Sequence, residues 1–140
     1  MSLVMPELDR GILARRTEIV AALRHIVPGE GVIDSAIEMK PFESDALTAY
    51  RTLPLAVVLP ETVEQVSQVL RYCYDNKVKV VPRGAGTSLS GGSLPLGDAV
   101  LLGMSKFNRV LEIDYDNRVA VVQPGVTNLG VTQAVEHEGF

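Results

Sequence analysis

Two short apolar runs, residues 78–81 and 99–102, flank the stretch P-R-G-A-G-T-S-L-S-G-G-S at residues 82–93. No other segment so narrows what the chain can fold into. The four glycines, Gly84, Gly86, Gly91 and Gly92, tolerate positive φ and let a ligand come close to the backbone, while Ala85, Thr87, Ser88 and Ser90 add little bulk. One reading is a glycine-rich hairpin connection between strands. The other is a nest, in which successive N–H groups converge into a concave patch of positive partial charge suited to phosphate. The loop carries no carboxylate and Arg83 offers a positive charge, so the expected occupant is a diphosphate.

Two familiar phosphate motifs fail here. Residues 86–93 approach G-x-x-x-x-G-K-[ST], but Gly92 stands where the lysine belongs, which removes the point charge for the terminal phosphates. Gly84 and Gly86 start G-x-G-x-x-G, but its last position is Leu89, and the next segment has the pattern of a strand, not of a helix.

What precedes the loop gives it a setting. Residues 56–59 are a continuous apolar run closed by Pro60, the pattern of a strand buried on both faces. Thr62 and Gln65 have the spacing of a capping box, and Val63, Val66, Val69, Leu70 and Cys73 form one helical stripe. Asn76 and Lys77 close that helix, and residues 78–81 then read as a second buried strand. The expected unit is βαβ, with the glycine loop at the carboxyl end of a parallel strand, where open α/β sheets bind ligands.

Residues 1–53 read as an N-terminal helix and an irregular lead-in, and 54–140 as the first part of a cofactor-binding domain. Asp9 is the expected N-cap, Ile12, Ile19, Leu23 and Ile26 the buried face, and Pro28 and Gly29 the stop. Met1, Ser2 and Leu3 read as an introduced start. Asp34, Glu38, Glu43 and Asp45 match no metal loop and read as a solvated connection. After the glycine loop, residues 110–113 and 119–123 form strands around the turn at 114–118, and Pro124 and Gly125 place a second small-residue turn before a helix starting near Thr127. Glu136, His137 and Glu138 point in different directions on a helix and hold no single ion, and Gly139 reads as a C-terminal cap.

Composition excludes other classes. A net charge of −4 and the absence of tryptophan argue against a broad nucleic-acid surface. The apolar runs are too short for a membrane span, and a cytoplasmic location is expected. Cys73, the one cysteine, rules out an intrachain disulfide and reads as core.

V-V-P-R-G-A-G-T-S-L-S-G-G, followed by M-S-K-F-N-R-V-L-E-I-D and A-V-V-Q-P-G-V-T-N-L, resembles FAD-linked oxidases of the vanillyl-alcohol oxidase type. The resemblance is nearest to the FAD-binding subunit of glycolate oxidase and to D-lactate dehydrogenases, and runs from about Leu8 onward. It implies an α+β fold, the βαβ-containing first subdomain of an FAD-binding domain, here incomplete. It also implies that Arg83, Gly84, Ala85, Gly86, Thr87, Ser88, Leu89, Gly91 and Gly92 wrap the FAD pyrophosphate. Pro82 is then placed near the adenine, and Pro124 and Gly125 make a second contact. Members with covalent flavin carry a histidine at the position of Thr87, so non-covalent FAD is expected. The implied activity is oxidation of a 2-hydroxy acid, glycolate or D-lactate, to the 2-oxo acid with hydride passing to FAD. The implied partners are a related flavin subunit and an iron–sulfur subunit, through which the protein would associate peripherally with a membrane. The catalytic residues are expected outside these residues, which makes the chain a piece of a larger enzyme. The alternative is a stand-alone nucleotide-binding or interaction module without catalysis.

Overall fold

A computed structural model describes residues 5–140; Met1, Ser2 and Leu3, read above as an introduced start, lie outside the described residues. Asp9 caps the first helix as its spacing predicts, its Oδ1 accepting from the N–H groups of Gly11 at 2.8 Å and Ile12 at 3.1 Å. The helix is broken once, at Arg15, into α1 (Arg10–Ala14) and α2 (Arg16–Ile26). Ile12, Ile19 and Leu23 are buried as expected, and Val20 and Val27 join them.

Six strands follow: β1 (Val32–Ile33), β2 (Ala56–Val58), β3 (Lys79–Arg83), β4 (Ala99–Gly103), β5 (Val110–Asp114) and β6 (Val119–Val122). The first four make one sheet in the order β1-β2-β4-β3, with β2, β4 and β3 parallel and β1 antiparallel to β2. Helix α3 (Val63–Asp75) connects β2 to β3, the expected βαβ unit, but β4 is inserted between the two strands. That insertion makes β3 an edge strand. Lys79 and Pro82 are exposed and Val80 and Val81 only half-buried, so the expectation of a buried strand is corrected; an edge also tolerates Pro82, which has no N–H to donate to a ladder. The fully buried strands are β2 and β4.

On α3, Thr62 Oγ1 accepts from Gln65 N–H at 3.2 Å, while the Gln65 side chain reaches one residue further back than a capping box requires, to the Glu61 N–H at 2.8 Å. Val69 and Cys73 are buried and Val66 half-buried, but Val63 and Leu70 are exposed because the neighbouring α2 covers only part of the predicted stripe. Burial pushes the Cys73 thiol up to about 11, which leaves it a neutral core residue. Lys77 closes the helix in the left-handed region, at φ 59°.

The β5–β6 hairpin turns where the sequence predicts. Asp114 accepts from the Asn117 side chain and N–H, bonds that hold its carboxyl below the ordinary value. Helix α4 (Asn128–Val135) follows, capped by Thr127 Oγ1 accepting from Gly130 N–H at 3.0 Å, and Gly139 ends the next turn at φ 84°. Among the described residues no helix is long and apolar enough to cross a membrane, and no cluster of acidic, His or Cys side chains could hold a metal.

One ion pair, buried on its carboxylate side only, ties the N-terminal helix to the sheet. Asp98, 1% exposed, accepts from Lys79 Nζ at 2.7 Å and from Asp9 N–H at 2.9 Å through the same oxygen. Burial pushes its carboxyl up, but these hydrogen bonds and the Lys79 charge outweigh burial and hold it below the ordinary carboxylate value. With the folded value depressed, the stabilisation is present above the unfolded carboxylate pKa of about 3.9 and is lost as pH falls through the folded value. Asp98→Asn is expected to lower stability at neutral pH by about 1–3 kcal/mol in urea unfolding and to flatten the acid limb of the stability curve. An acid limb identical to wild type would contradict this assignment.

Candidate cofactor site

Because β3 and β4 are parallel neighbours, the glycine loop cannot be a hairpin. It is a crossover without a helix, leaving the carboxyl end of β3 after Arg83 and returning to the amino end of β4 at Ala99. Among the described residues, none of the amide N–H groups of residues 84–89 donates to another group of the chain. The next part of the loop is satisfied internally: Ser88 Oγ accepts from Gly92 N–H at 3.1 Å and from Ser90 N–H at 3.4 Å. The crossover thus starts with a run of unspent main-chain donors, and such a run binds an anion or water.

The carboxyl ends of β3 and β4 open into a cleft of about 500 Å³. Gly84 and Ala85 form one wall, Ser105 and Asn108 after β4 another, and Pro124, Gly125, Val126, Thr127 and Gly130 the third. The two turns singled out in the sequence therefore meet. Their approach is enforced by Gly125, whose N–H donates to Phe107 O at 2.6 Å; a Cβ there would stand 2.3 Å from Met104 O and 2.6 Å from Phe107 O. Gln123 N–H donates to Arg109 O and Arg109 N–H to Gln123 Oε1, both at 2.9 Å, closing the same neck.

The other predicted residues lie elsewhere along the loop. Pro82, Gly91 and Gly92 line a separate, largely apolar hollow of about 320 Å³ with Val80, Val81, Leu94 and Leu96. Thr87 and Leu89 are exposed between the two hollows, Leu89 at 76%. Arg83 is turned under the loop, not toward the clefts: its Nη1 donates to Ser44 O at 2.8 Å and Phe42 O at 3.3 Å. Burial lowers its pKa from the ordinary value and the Asp45 charge opposes that shift, so the guanidinium stays charged. Asp45 is also not part of a solvated connection, as the sequence suggested. It is 5% exposed, accepts from Leu47 N–H at 2.9 Å and meets Ser93 Oγ at 3.4 Å.

Ser105, Asn108, Val126, Thr127 and Gly130 were not picked out in the sequence as cleft residues. Only Ser105 and Asn108 carried a signal, as polar residues just after a strand on the carboxyl side of the sheet.

The cleft has the unspent amides of Gly84 and Ala85 on one wall, mostly small residues on the others and no carboxylate in its lining, chemistry that suits an anion. The fold and this site define a mixed α/β nucleotide-binding domain. Residues 54–140 match the family described as FAD binding domain, and the chain belongs to that family. It is 49% identical over 131 residues to glycolate oxidase subunit GlcD of Escherichia coli strain K12, covering 94% of this chain and 25% of that protein. It is 34% identical over 121 residues to mitochondrial D-2-hydroxyglutarate dehydrogenase of Bos taurus, covering 86% of this chain and 22% of that one. The chain spans about a quarter of the length of the curated relatives it matches. In fold it matches the crystal structure of p-cresol methylhydroxylase with substrate bound, with a TM-score of 0.80 at 23% identity over 97% of this chain and 27% of that one.

Packing at Gly125 gives a direct test of how the cleft is held. Gly125→Ala is expected to destabilise by about 1–3 kcal/mol, because main-chain oxygens must yield. Gly84→Ala, with nothing within 4 Å of its added Cβ, is expected to stay within about 0.5 kcal/mol of wild type. Equal thermal midpoints for the two variants would contradict the packing described.

Proposed function

We propose that this chain forms the pyrophosphate-binding part of the FAD site of a 2-hydroxy-acid oxidoreductase, acting on a substrate such as glycolate or D-lactate. The run of unspent amides at residues 84–89, which begins at Gly84 and Ala85 on the cleft wall across from the Pro124 and Gly125 turn, is the observation that carries this reading. The nature of the named relatives, a glycolate oxidase subunit and a D-2-hydroxyglutarate dehydrogenase, supports the substrate class. Bound FAD supplies the two-electron oxidation of the hydroxyl-bearing carbon.

In this reading Gly84, Ala85, Gly86, Thr87, Ser88 and Leu89 donate main-chain hydrogen bonds to the diphosphate. Gly91 and Gly92 let the nucleotide lie against the loop, beside Pro82, and Pro124 and Gly125 close the opposite side. Residues 54–140 are the cofactor-binding part and 1–53 its lead-in. No residue of this chain is assigned a catalytic role. FAD is held without a covalent bond, since Thr87 offers no imidazole. A related flavin subunit and an iron–sulfur subunit are the proposed partners, and any contact with a membrane runs through them.

The test is a titration with FAD followed by flavin fluorescence, with ADP as competitor, on wild type and Gly86→Val. Gly86 has φ +73° and its Cβ would meet the Arg83 guanidinium at 2.3 Å, so valine there forces the loop off its path. Saturable binding that ADP displaces, lost in Gly86→Val, and full release of flavin on denaturation are expected. Full FAD occupancy in Gly86→Val would sink the assignment of the loop.

A further inference from the structure

We propose that residues 42–47 of the lead-in are a floor that holds the glycine loop in its ligand-ready shape, with Arg83 and Asp45 as the positioning residues that join the two. This rests on the reading of the loop as the diphosphate cradle and assigns a source for its shape.

Three points of the loop rest on this floor. The first is Gly86, in the middle of the unspent amides. Its missing Cβ would lie 2.3 to 2.6 Å from Nη2, Cζ and Nε of Arg83, so the backbone at Gly86 lies against the guanidinium. That guanidinium is fixed from below by Ser44 O and Phe42 O and stands 5.7 Å from the centre of the Phe42 ring. The second point is Gly91, at φ +75°, where a Cβ would be 3.5 Å from Leu47 Cδ2. The third is Ser93, 8% exposed, whose hydroxyl meets the Asp45 carboxylate; the same carboxylate also binds the Leu47 N–H.

Such a floor answers a physical need. A crossover with five glycines has large conformational freedom, and a run of amides without acceptors has no hydrogen bonds of its own to hold its shape. A loop ordered beforehand loses less free energy on binding than one ordered by its ligand. The chemistry also selects arginine: Nη1 donates to both carbonyls while the rest of the planar guanidinium lies flat against Gly86, a face that a lysine ammonium does not have. Arg83 thus acts through the main chain of the loop, not as the direct phosphate partner suggested by the sequence. The floor lies upstream of residue 54, where the match to the FAD binding domain family begins.

The experiment uses the full protein as its gene encodes it, with folding checked by circular dichroism. FAD affinity is measured for wild type, Arg83→Lys, Arg83→Gln and Asp45→Ala, and hydrogen exchange of the loop amides that are bonded, Gly92 and Leu94, is measured in the flavin-free protein. Both Arg83 variants are expected to weaken FAD to a similar extent, on the order of ten- to a hundredfold, because neither lays a flat guanidinium against Gly86 while bonded to the floor. Asp45→Ala is expected to weaken FAD several-fold and to speed exchange at the bonded loop amides of Gly92 and Leu94 while β4 keeps its protection. Wild-type affinity in Arg83→Lys beside a loss in Arg83→Gln would make Arg83 a charge partner of the phosphate and overturn the proposal. Tighter FAD binding in Asp45→Ala would overturn it too, since the carboxylate would then act only by repelling the anion. Unchanged loop exchange in Asp45→Ala overturns it without reference to any ligand, and so decides the matter even if an Arg83 variant fails to fold. Failure of the wild type to bind FAD is a separate result: it removes the cofactor reading, and loop exchange alone then judges the floor.

Discussion

The parallel pairing of β3 with β4, with no helix between them, is the constraint on which the rest depends. A parallel connection must carry the chain from one end of the sheet to the other, and here that path is a loop over residues 84–98. A loop so placed cannot pair all its main-chain groups. The unspent amides of residues 84–89 are therefore a product of topology, and they emerge at the sheet edge where the chain after β4 and the turn after β6 also arrive. Glycines follow from the same cause, since Gly86 lies against a guanidinium and Gly125 against two carbonyl oxygens.

Holding that crossover requires anchors at both ends. At its far end, Asp98 locks to Lys79 at the start of β3 and to the Asp9 N–H at the start of α1, so one carboxylate fixes strand, crossover and N-terminal helix. Arg16 adds a stitch from α2 to both parts, donating to Asp34 O in the lead-in at 2.5 Å and to Leu55 O just before β2 at 3.1 Å. At its near end the anchor is Arg83 with Asp45. The N-terminal segment also supplies Ile12, Ile19, Val20, Leu23, Val27 and Val32 to the core shared with β2, β4 and α3. Residues 54–140 and the N-terminal segment therefore share one packed core, although only the former lie within the family match.

Local chemistry was the legible part. Asp9, Thr62 and Thr127 cap helices because a cap needs only a side-chain oxygen and an N–H two or three residues away, and the 114–118 turn closes by the same short-range bonds. The Gly84 and Gly125 turns were legible as candidates because small residues at strand ends have few other uses. Adjacency was not legible: hydrophobic runs report burial, so nothing in residues 78–81 told that β4 would be inserted and leave β3 at the edge. Asp45 was missed for a related reason. Its partner Ser93 is 48 positions away, and a carboxylate beside Glu43 and Ser44 has the local look of a solvated loop. The two-residue β1 is too short to carry any period, and it exists only because β2 offers it an edge.

The crossover after β3, as we propose it, is a diphosphate cradle formed before its ligand arrives. A crystal structure of the protein with FAD bound tests it most directly. The account predicts pyrophosphate oxygens within hydrogen-bond distance of amides in residues 84–89, with the loop backbone where it stands without the ligand. A pyrophosphate seated elsewhere, for instance in the hollow lined by Arg24 and Lys106, or a glycine loop refolded around it, would contradict the account.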